Sequence, residues 1–334
     1  MRTALPLPEP LLRRSFTLSE SDACGVSRKR TRASDLRTVS RGIRVPVGVE
    51  QSLAQRIRPY LALLPDAVVS DATAAKLHGI PLPPGTASEE LLHLTRPCSS
   101  SGIQRKGILG HRRRLEAAEI GLAEGIPVTS IARTWIDLAS RMGLDDLIAA
   151  ADWIISEHDR GFGPPRVAKL PADELAGYVS SRHGFRSVRN AAAALNLMRV
   201  GVDSPPESLL RLMLLRAELP EFAVNCRINS PQLPRSVWAD LGNREFRVCV
   251  EYDGLHHLTP EQQASDNERD ALTASAGWRQ VKVNRLQLRQ AEPLILAPIR
   301  RALQDNGWRG AADGNGWRGA AEDNGWRDAA DGSG

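Results

Sequence analysis

The sequence predicts a mixed α/β (α+β) chain of several domains, and three stretches carry that expectation. Residues 246–285 run from strand-period alternation through an acidic turn into a capped helix and a second strand. Residues 13–46 run through a capped helix, a glycine turn, a basic helix and a hairpin. Beyond residue 305 the chain repeats a short Asn-Gly-Trp unit, which is too small to bury a core of its own.

Composition sets the outer limits. A chain of 334 residues has room for two or three domains. Hydrophobic content of 42% and charged content of 25% are those of a globular protein. Aromatic residues are only 4%, and three of the seven Trp lie in the C-terminal repeat, so the cores must be largely aliphatic. The net charge of +5 is modest, but the heavy use of Arg favours contact with a polyanion. Cys24, Cys98, Cys226 and Cys249 are widely spaced with no CxxC, which argues against a zinc site and a disulfide framework. The N-terminal residues contain three prolines and no long apolar core, unlike a signal peptide. No run of about 18 apolar residues occurs, so no membrane contact is expected and the cytoplasm is the expected location.

In chain order, Thr17-Leu-Ser-Glu20 is a capping box that opens a short helix. Gly25 supplies a turn, and Ser27 can cap a second helix carrying Arg28, Lys29, Arg30 and Arg32. Val39–Val45, broken at Gly42, reads as a short wing flanked by Arg41 and Arg44. Together these give a winged helix-turn-helix over 1–49. Residues 1–50 hold ten Lys and Arg against five Asp and Glu, an excess equal to that of the whole chain. The basic residues would meet DNA phosphates or base edges; the other reading is a small interaction domain with a solvated basic face.

Residues 50–175 read as a second, mixed α/β domain. Gln51–Leu64 is an aliphatic helix ended by Pro65, and Val68–Gly79 is a strand followed by an Ala-rich helix closed by a glycine. Leu91–Thr95 is a strand. Arg96–Arg114 holds six Lys and Arg and no acid, among them Arg105, Lys106, Arg112, Arg113 and Arg114, and reads as a basic loop or hairpin. Ile126–Ser130 leads into helices at Ile131–Met142 and Asp145–Ser156. His78 suits the C-terminal end of its helix, and Asp137 has no acid/base partner in the sequence, so neither is read as catalytic. Residues 157–200 read as a connector with helices at Asp173–Ser181 and Ser187–Met198, its helical part being placed over 176–203.

Residues 13–156 resemble the antitoxin of the abortive-infection type IV toxin–antitoxin systems. The resemblance rests on the winged-helix pattern through Arg41-Gly42, on Val69-Ser70 with Ala75-x-Leu77-His78-Gly79, and on Ile126–Ser130 with Ala132-Arg133-Thr134 and Asp137-Leu138. It implies operon DNA and a toxin protein, or a second copy of the chain, as partners.

The last folded domain is expected over 204–304. Ser204-Pro-Pro-Glu207 is a capping box with proline in the first turn, followed by apolar residues at helical spacing. Phe246, Val248, Val250 and Tyr252 alternate with Arg247, Cys249, Glu251 and Asp253, which puts Glu251 and Asp253 on one face at a strand end. With Asp240 upstream, these carboxylates suit a hard divalent cation, Mg²⁺ or Mn²⁺; the plainer reading is a set of solvated acids. The hairpin register decides between them. A turn at Gly242-Asn243 would set position 234 against 251 and leave Asp240 about 20 Å away, whereas a longer loop near Arg244-Glu245 would set Asp240 against Glu251.

The motif Asp240…Glu251-Tyr-Asp-Gly-x-x-His257, with Asp266-x-x-Arg269 and Gly277-Trp278, resembles the very-short-patch-repair-like branch of the restriction-endonuclease (PD-(D/E)xK) superfamily. The resemblance covers roughly 205–288 and favours the second register. It implies a restriction-endonuclease-like α/β domain that hydrolyses DNA. Asp240 and Glu251, with Asp253, would hold Mg²⁺ or Mn²⁺, Glu207 would support the site from the first helix, and His257 would move the proton. The superfamily's motif lysine is replaced here by Asp253. Lys282 stands where the family carries Arg, and a phosphate contact is expected of it. Asp266 and Arg269, one helical turn apart, read as a structural ion pair. The tail over 305–334, with repeats starting at Asn306, Asn315 and Asn324, is expected to be disordered.

Two functions remain open from the sequence. One is a DNA-binding, metal-dependent endonuclease in DNA repair or phage defence. The other is an antitoxin-like autorepressor whose nuclease fold is inactive.

Overall fold

The computed structural model describes residues 5–161, 164–182, 187–229, 231, 235–254, 259–289 and 292–310. Where the sequence suggests five segments, the chain divides once by its internal contacts. One compact unit holds 1–159 and 164–200, and the other holds 160–163 and 201–334.

The first unit opens with α1 (Glu9–Leu12), β1 (Phe16–Thr17) and α2 (Leu18–Ala23). The capping box at α2 forms as expected: Glu20 N donates to the Thr17 hydroxyl at 3.1 Å, and Thr17 N donates to the Glu20 carboxylate at 2.7 Å. The basic helix expected after Ser27 is only a 3-10 turn, Arg30–Arg32. Ser27 Oγ does accept from Arg30 N at 3.2 Å, but only Thr31 is buried there. Without an apolar stripe, no packing carries the helix further. The wing forms from β2 (Leu36–Ser40) and β3 (Ile43–Pro46), which turn at Arg41-Gly42 where Gly42 takes a φ of +83°. With β1 they make an antiparallel sheet in the order β1-β3-β2.

α3 (Leu53–Leu63) is capped by Ser52 and Gln55. It ties the wing to the next sheet. Ser15 Oγ donates to Gln55 O at 2.6 Å, and Ile43 of the wing shares a core with Ile57, Val69, Leu94 and Val128. No break therefore falls at residue 49. The chain continues through β4 (Val68–Val69), α4 (Asp71–His78), α5 (Pro84–Ala87), β5 (Leu92–Arg96) and β6 (Ile108–Arg112). After a 3-10 turn come β7 (Ile120–Ala123) and β8 (Ile126–Thr129), and the sheet order is β6-β5-β4-β8-β7. β5 and β6 pair in parallel, so the basic segment Arg96–Arg114 is a crossover and not a hairpin. Its start is pinned where the Arg96 guanidinium meets Asp66 at 2.8 Å and Ser101 O at 3.1 Å.

Four helices complete the unit: α6 (Ile131–Leu138), α7 (Leu144–Ile155), α8 (Ala172–Ser180) and α9 (Val188–Leu197). Trp135 of α6 is fully buried, and its indole N–H donates to Leu147 O at 3.0 Å. α8 packs on α6 and α9 on α7, so the segment expected as a connector over 176–203 belongs to this unit as far as residue 200.

The second unit contains α10 (Pro205–Arg216), β9 (Ala223–Ile228), β10 (Val237–Asn243), β11 (Val248–Asp253), α11 (Pro260–Ser275), β12 (Arg279–Asn284), α12 (Arg285–Arg289) and α13 (Glu292–Asp305). The sheet order is β12-β11-β10-β9. β9, β10 and β11 are antiparallel, and α11 carries the chain over to a parallel β12. Strand alternation sorts the two faces. Val248 and Val250 pack with Leu210, Leu214, Ile295 and Ile299, while Cys249 packs with Ile228 and Val237 on the side carrying Leu272 and Trp278.

The β10–β11 hairpin turns through residues 244–247, so Phe246 and Arg247, expected as strand, lie in the turn. The register pairs Leu241 with Val250, Gly242 with Cys249 and Asn243 with Val248. Carried one residue on, it sets Asp240 against Glu251, as the longer loop requires. Asn243, 5% exposed, fixes this turn: its amide donates to Glu221 O at 2.8 Å and its carbonyl accepts from Phe246 N at 2.8 Å.

The tail starts later than expected. Asn306 Nδ2 donates to Phe246 O at 2.6 Å, Trp308 N donates to Leu303 O at 2.9 Å, and Trp308 packs against the core of the second unit. The first repeat thus closes α13, while residues 311–334, with the other two repeats, lie outside the described residues. Among the described residues no helix is long and apolar enough to cross a membrane.

Asn243→Ala should destabilise the second unit by about 1–3 kcal/mol, because it removes two hydrogen bonds from a buried turn. Urea unfolding monitored by Trp fluorescence measures this, and an unchanged midpoint would place control of the register elsewhere.

Candidate metal and nucleic-acid sites

Three of the carboxylates singled out in the sequence come to one end of the second sheet. Glu251 lies on β11, 7% exposed, and its Oε1 is buried with no hydrogen-bond partner among the described residues. Its Oε2 is 3.2 Å from an Arg269 guanidinium nitrogen, and Arg269 in turn meets Asp266 at 3.3 Å. The expected Asp266–Arg269 pair is therefore present, and Arg269 also reaches the acidic site. Asp240 Oδ2 accepts the Tyr252 backbone N–H at 2.7 Å, which holds the side chain beside the strand bearing Glu251. Glu207, in the first turn of α10, accepts Asp203 N at 2.9 Å and the Ser204 hydroxyl at 2.6 Å. The expected capping box does not form: Ser204 turns its hydroxyl to the Glu207 side chain and not to the helix backbone, and Glu207 takes the N–H of Asp203, one residue before the cap. Glu207 thus holds the chain that enters α10 and lies near enough to Asp240 for their charges to interact.

Electrostatics joins these groups. Burial, and then the charge of Asp240, push Glu207 up to about 7. Burial raises Asp240 to about 6; the Tyr252 N–H opposes this and the Glu251 charge adds to it. Burial also raises Glu251, against the pull of Arg269 and Lys282. Each group resists ionisation chiefly because burial takes its carboxylate out of water, and at Glu207 and Asp240 a neighbouring carboxylate adds like charge. Asp253 is exposed at the end of β11, level with Asn284 of β12. His257 lies outside the described residues. Lys282 is the β12 partner of Glu251 in the register and is bound to Asp270 at 2.5 Å.

The basic residues expected to contact DNA from the first unit differ in exposure and in the partners the protein gives them, Arg28 and Arg112 being exposed yet paired. Lys29, Arg32, Arg41, Lys106 and Arg114 are exposed. Others are held by the protein itself. Arg28 meets Asp22 at 2.5 Å, and Arg30, its side chain 9% exposed, meets Asp35 at 2.7 Å. Arg44 donates to Thr31 O at 2.8 Å, Arg105 to Arg41 O at 2.7 Å, and Arg112 to Cys98 O. Arg113 points inward, to Asp71 at 2.5 Å and Asp137 at 2.9 Å. A guanidinium shared by two inward carboxylates is a structural ion, which removes Arg113 from the expected DNA contacts.

That ion belongs to a polar core that the sequence did not reveal. Arg133, 1% exposed, joins Asp137 at 3.1 Å and Glu119 at 2.9 Å, and burial lifts Asp137 to about 6 against the pull of Arg113 and Arg133. At its other end Asp71, His93 and His111 bring one ligand atom each within 4.8 Å of one another, the one group of three metal-ligand side chains so arranged among the described residues. These residues could hold a metal ion. They come from α4, β5 and β6, far apart in sequence, and only the parallel β5–β6 pairing brings the two histidines together. His78 stays structural, its Nε2 2.7 Å from Thr129 O.

The raised carboxylates fix a pH dependence. Asp240 and Glu207 ionise near 3.8 and 4.5 when unfolded but near 6 and 7 when folded. Between those values the folded state holds more protons, so stability falls as pH rises. The second unit should lose stability from about pH 4 to about pH 7, and Asp240→Asn should flatten that slope in urea midpoints measured across the range.

No protein-family model matches the chain, and no curated protein matches it significantly.

Proposed function

We propose that the chain is a DNA-binding, metal-dependent endonuclease that hydrolyses phosphodiester bonds in DNA repair or phage defence. The observation that carries this reading is the register that sets Asp240 against Glu251, with Glu251 Oε1 buried and without a hydrogen-bond partner among the described residues. A buried carboxylate oxygen without a donor is costly unless a cation completes it. The donor set is all oxygen, which suits Mg²⁺ or Mn²⁺. Asp240 and Glu251 would hold the ion, with Asp253 at the open end of the strand. When bound, such an ion activates water and stabilises the leaving oxygen of a phosphodiester.

The chain's own residues supply positioning and charge. Glu207 anchors the start of α10 beside the acids and adds to the negative field that draws a cation. Lys282 lies level with Glu251 and would meet a DNA phosphate by giving up its contact with Asp270. In the first unit, Lys29, Arg32 and Arg41 around the wing, with Lys106 and Arg114 near the crossover, are exposed for phosphate contact. Operon DNA, and a toxin protein or a second copy of the chain, are the partners in keeping with the antitoxin resemblance, in the cytoplasm.

One observation favours a second reading. Arg269 already neutralises Glu251 Oε2, and the motif lysine is absent, as in an inactive nuclease fold retained by an antitoxin-like autorepressor. Cleavage of supercoiled and mismatched DNA with Mg²⁺ or Mn²⁺ separates the two. The nuclease reading expects metal-dependent cutting that Glu251→Ala and Asp240→Ala reduce by about 10³-fold or more. No cutting, with binding to upstream DNA that survives Glu251→Ala, would overturn it in favour of the repressor.

A further inference from the structure

We propose that Asp71, His93 and His111 of the first unit bind a divalent transition ion of the zinc class, independently of the acidic site in the second unit. His93 Nδ1 and His111 Nε2 face one another at 3.1 Å, and His111 Nε2 lies 3.6 Å from Asp71 Oδ2. A tetrahedral ion with bonds of about 2.0–2.1 Å holds its donors about 3.3–3.4 Å apart. The two observed separations bracket that value. The rings stack with centroids 5.2 Å apart and planes at 27°, so the two imidazoles are already close.

The surroundings fit the same reading. Glu89 Oε2 lies 3.1 Å from His93 Nε2 and can take the proton of that nitrogen, leaving Nδ1 with its lone pair toward the cluster. Metal-bound histidines commonly hold their second nitrogen against a carboxylate in this way. Asp71 is fully buried and sits at a φ of +49°, an uncommon conformation for a residue with a side chain, and Arg113 holds its carboxylate. Asp71, Glu89 and Asp137 are matched one for one by Arg113, Arg141 and Arg133, so an incoming cation meets a charge-balanced cluster. Two imidazoles and one carboxylate select zinc-class ions over Mg²⁺, and three protein donors leave a fourth position open.

Arg113 holds Asp71 Oδ2, the oxygen nearest His111, at 2.5 Å and would share it with the ion, while at His93 the competitor is Arg141. Its Nη1 lies 3.2 Å from His93 Nδ1, where it provides positive charge to the cluster. Its side chain is 30% exposed and its Nη2 is held by Glu89 at 2.9 Å, so Nη1 can swing away while the Glu89 contact stays. The ion displaces this contact.

The test is Co²⁺ titration of metal-stripped full-length protein, monitored by its visible absorption, with Zn²⁺ as competitor. One ion should bind with imidazole ligation and be displaced by Zn²⁺. His111→Ala should abolish this binding, Glu89→Gln should weaken it about 10- to 100-fold, and Glu251→Gln should leave it intact. Arg141→Met, which keeps all three donors, should tighten it at least several-fold. Absent binding in the native protein, unchanged binding in His111→Ala, or loss in Glu251→Gln would overturn the proposal. If His111→Ala fails to fold, Arg141→Met decides: unchanged affinity would overturn it.

Discussion

Asn243 holds the turn between β10 and β11 through two hydrogen bonds, and the chemistry open to the second unit depends on the register this turn enforces. In the alternative register Asp240 would stand six residues from Glu251, too far to share an ion. In the adopted one, Asp240, Glu251 and Glu207 interact through their charges, and burial makes ionisation costly for all three. The sheet end thus gathers carboxylates whose charges are only partly offset by the protein. Arg269 supplies part of the opposing charge, and Glu251 Oε1 has no hydrogen-bond partner among the described residues.

The first unit handles buried charge differently. There the acids are matched by guanidinium groups in a connected chain, from Asp71 through Arg113 to Asp137 and on through Arg133 to Glu119. Pairing of this kind makes a buried ion tolerable, and removing one partner would strand the other. At one end of this network two histidines join Arg113 around Asp71, and Asp71, His93 and His111 together could hold a metal ion. The two units thus hold chemically distinct acidic sites, one all oxygen and one rich in imidazole.

Much of the local structure was legible in the sequence, because local rules govern it. The Thr17–Glu20 box, the Gly42 turn of the wing, the Gly79 helix end and the strand with Glu251 and Asp253 on one face all derive from capping, backbone freedom and period-two alternation. Pairing was harder to read. Gly242-Asn243 gave the stronger turn signal, yet Asn243 uses its side chain to close a wider loop. Alternation at β5 and β6 marks strands but not the direction of their partners, so the parallel crossover was invisible. Asp71, His93 and His111 carry no spacing motif, because three elements bring them together. Ser27 and its basic neighbours suggested a helix that lacks the apolar face to support it.

The nuclease reading stands or falls with the acidic site of the second unit, and metal binding probes that site without relying on a substrate. Calorimetric titration of the full chain with Mn²⁺ should show an ion held by Asp240 and Glu251, released in Glu251→Gln and retained in His111→Ala. Binding of Mn²⁺ unchanged by Glu251→Gln, or no binding at all, would contradict this and leave the carboxylates as a buried structural feature.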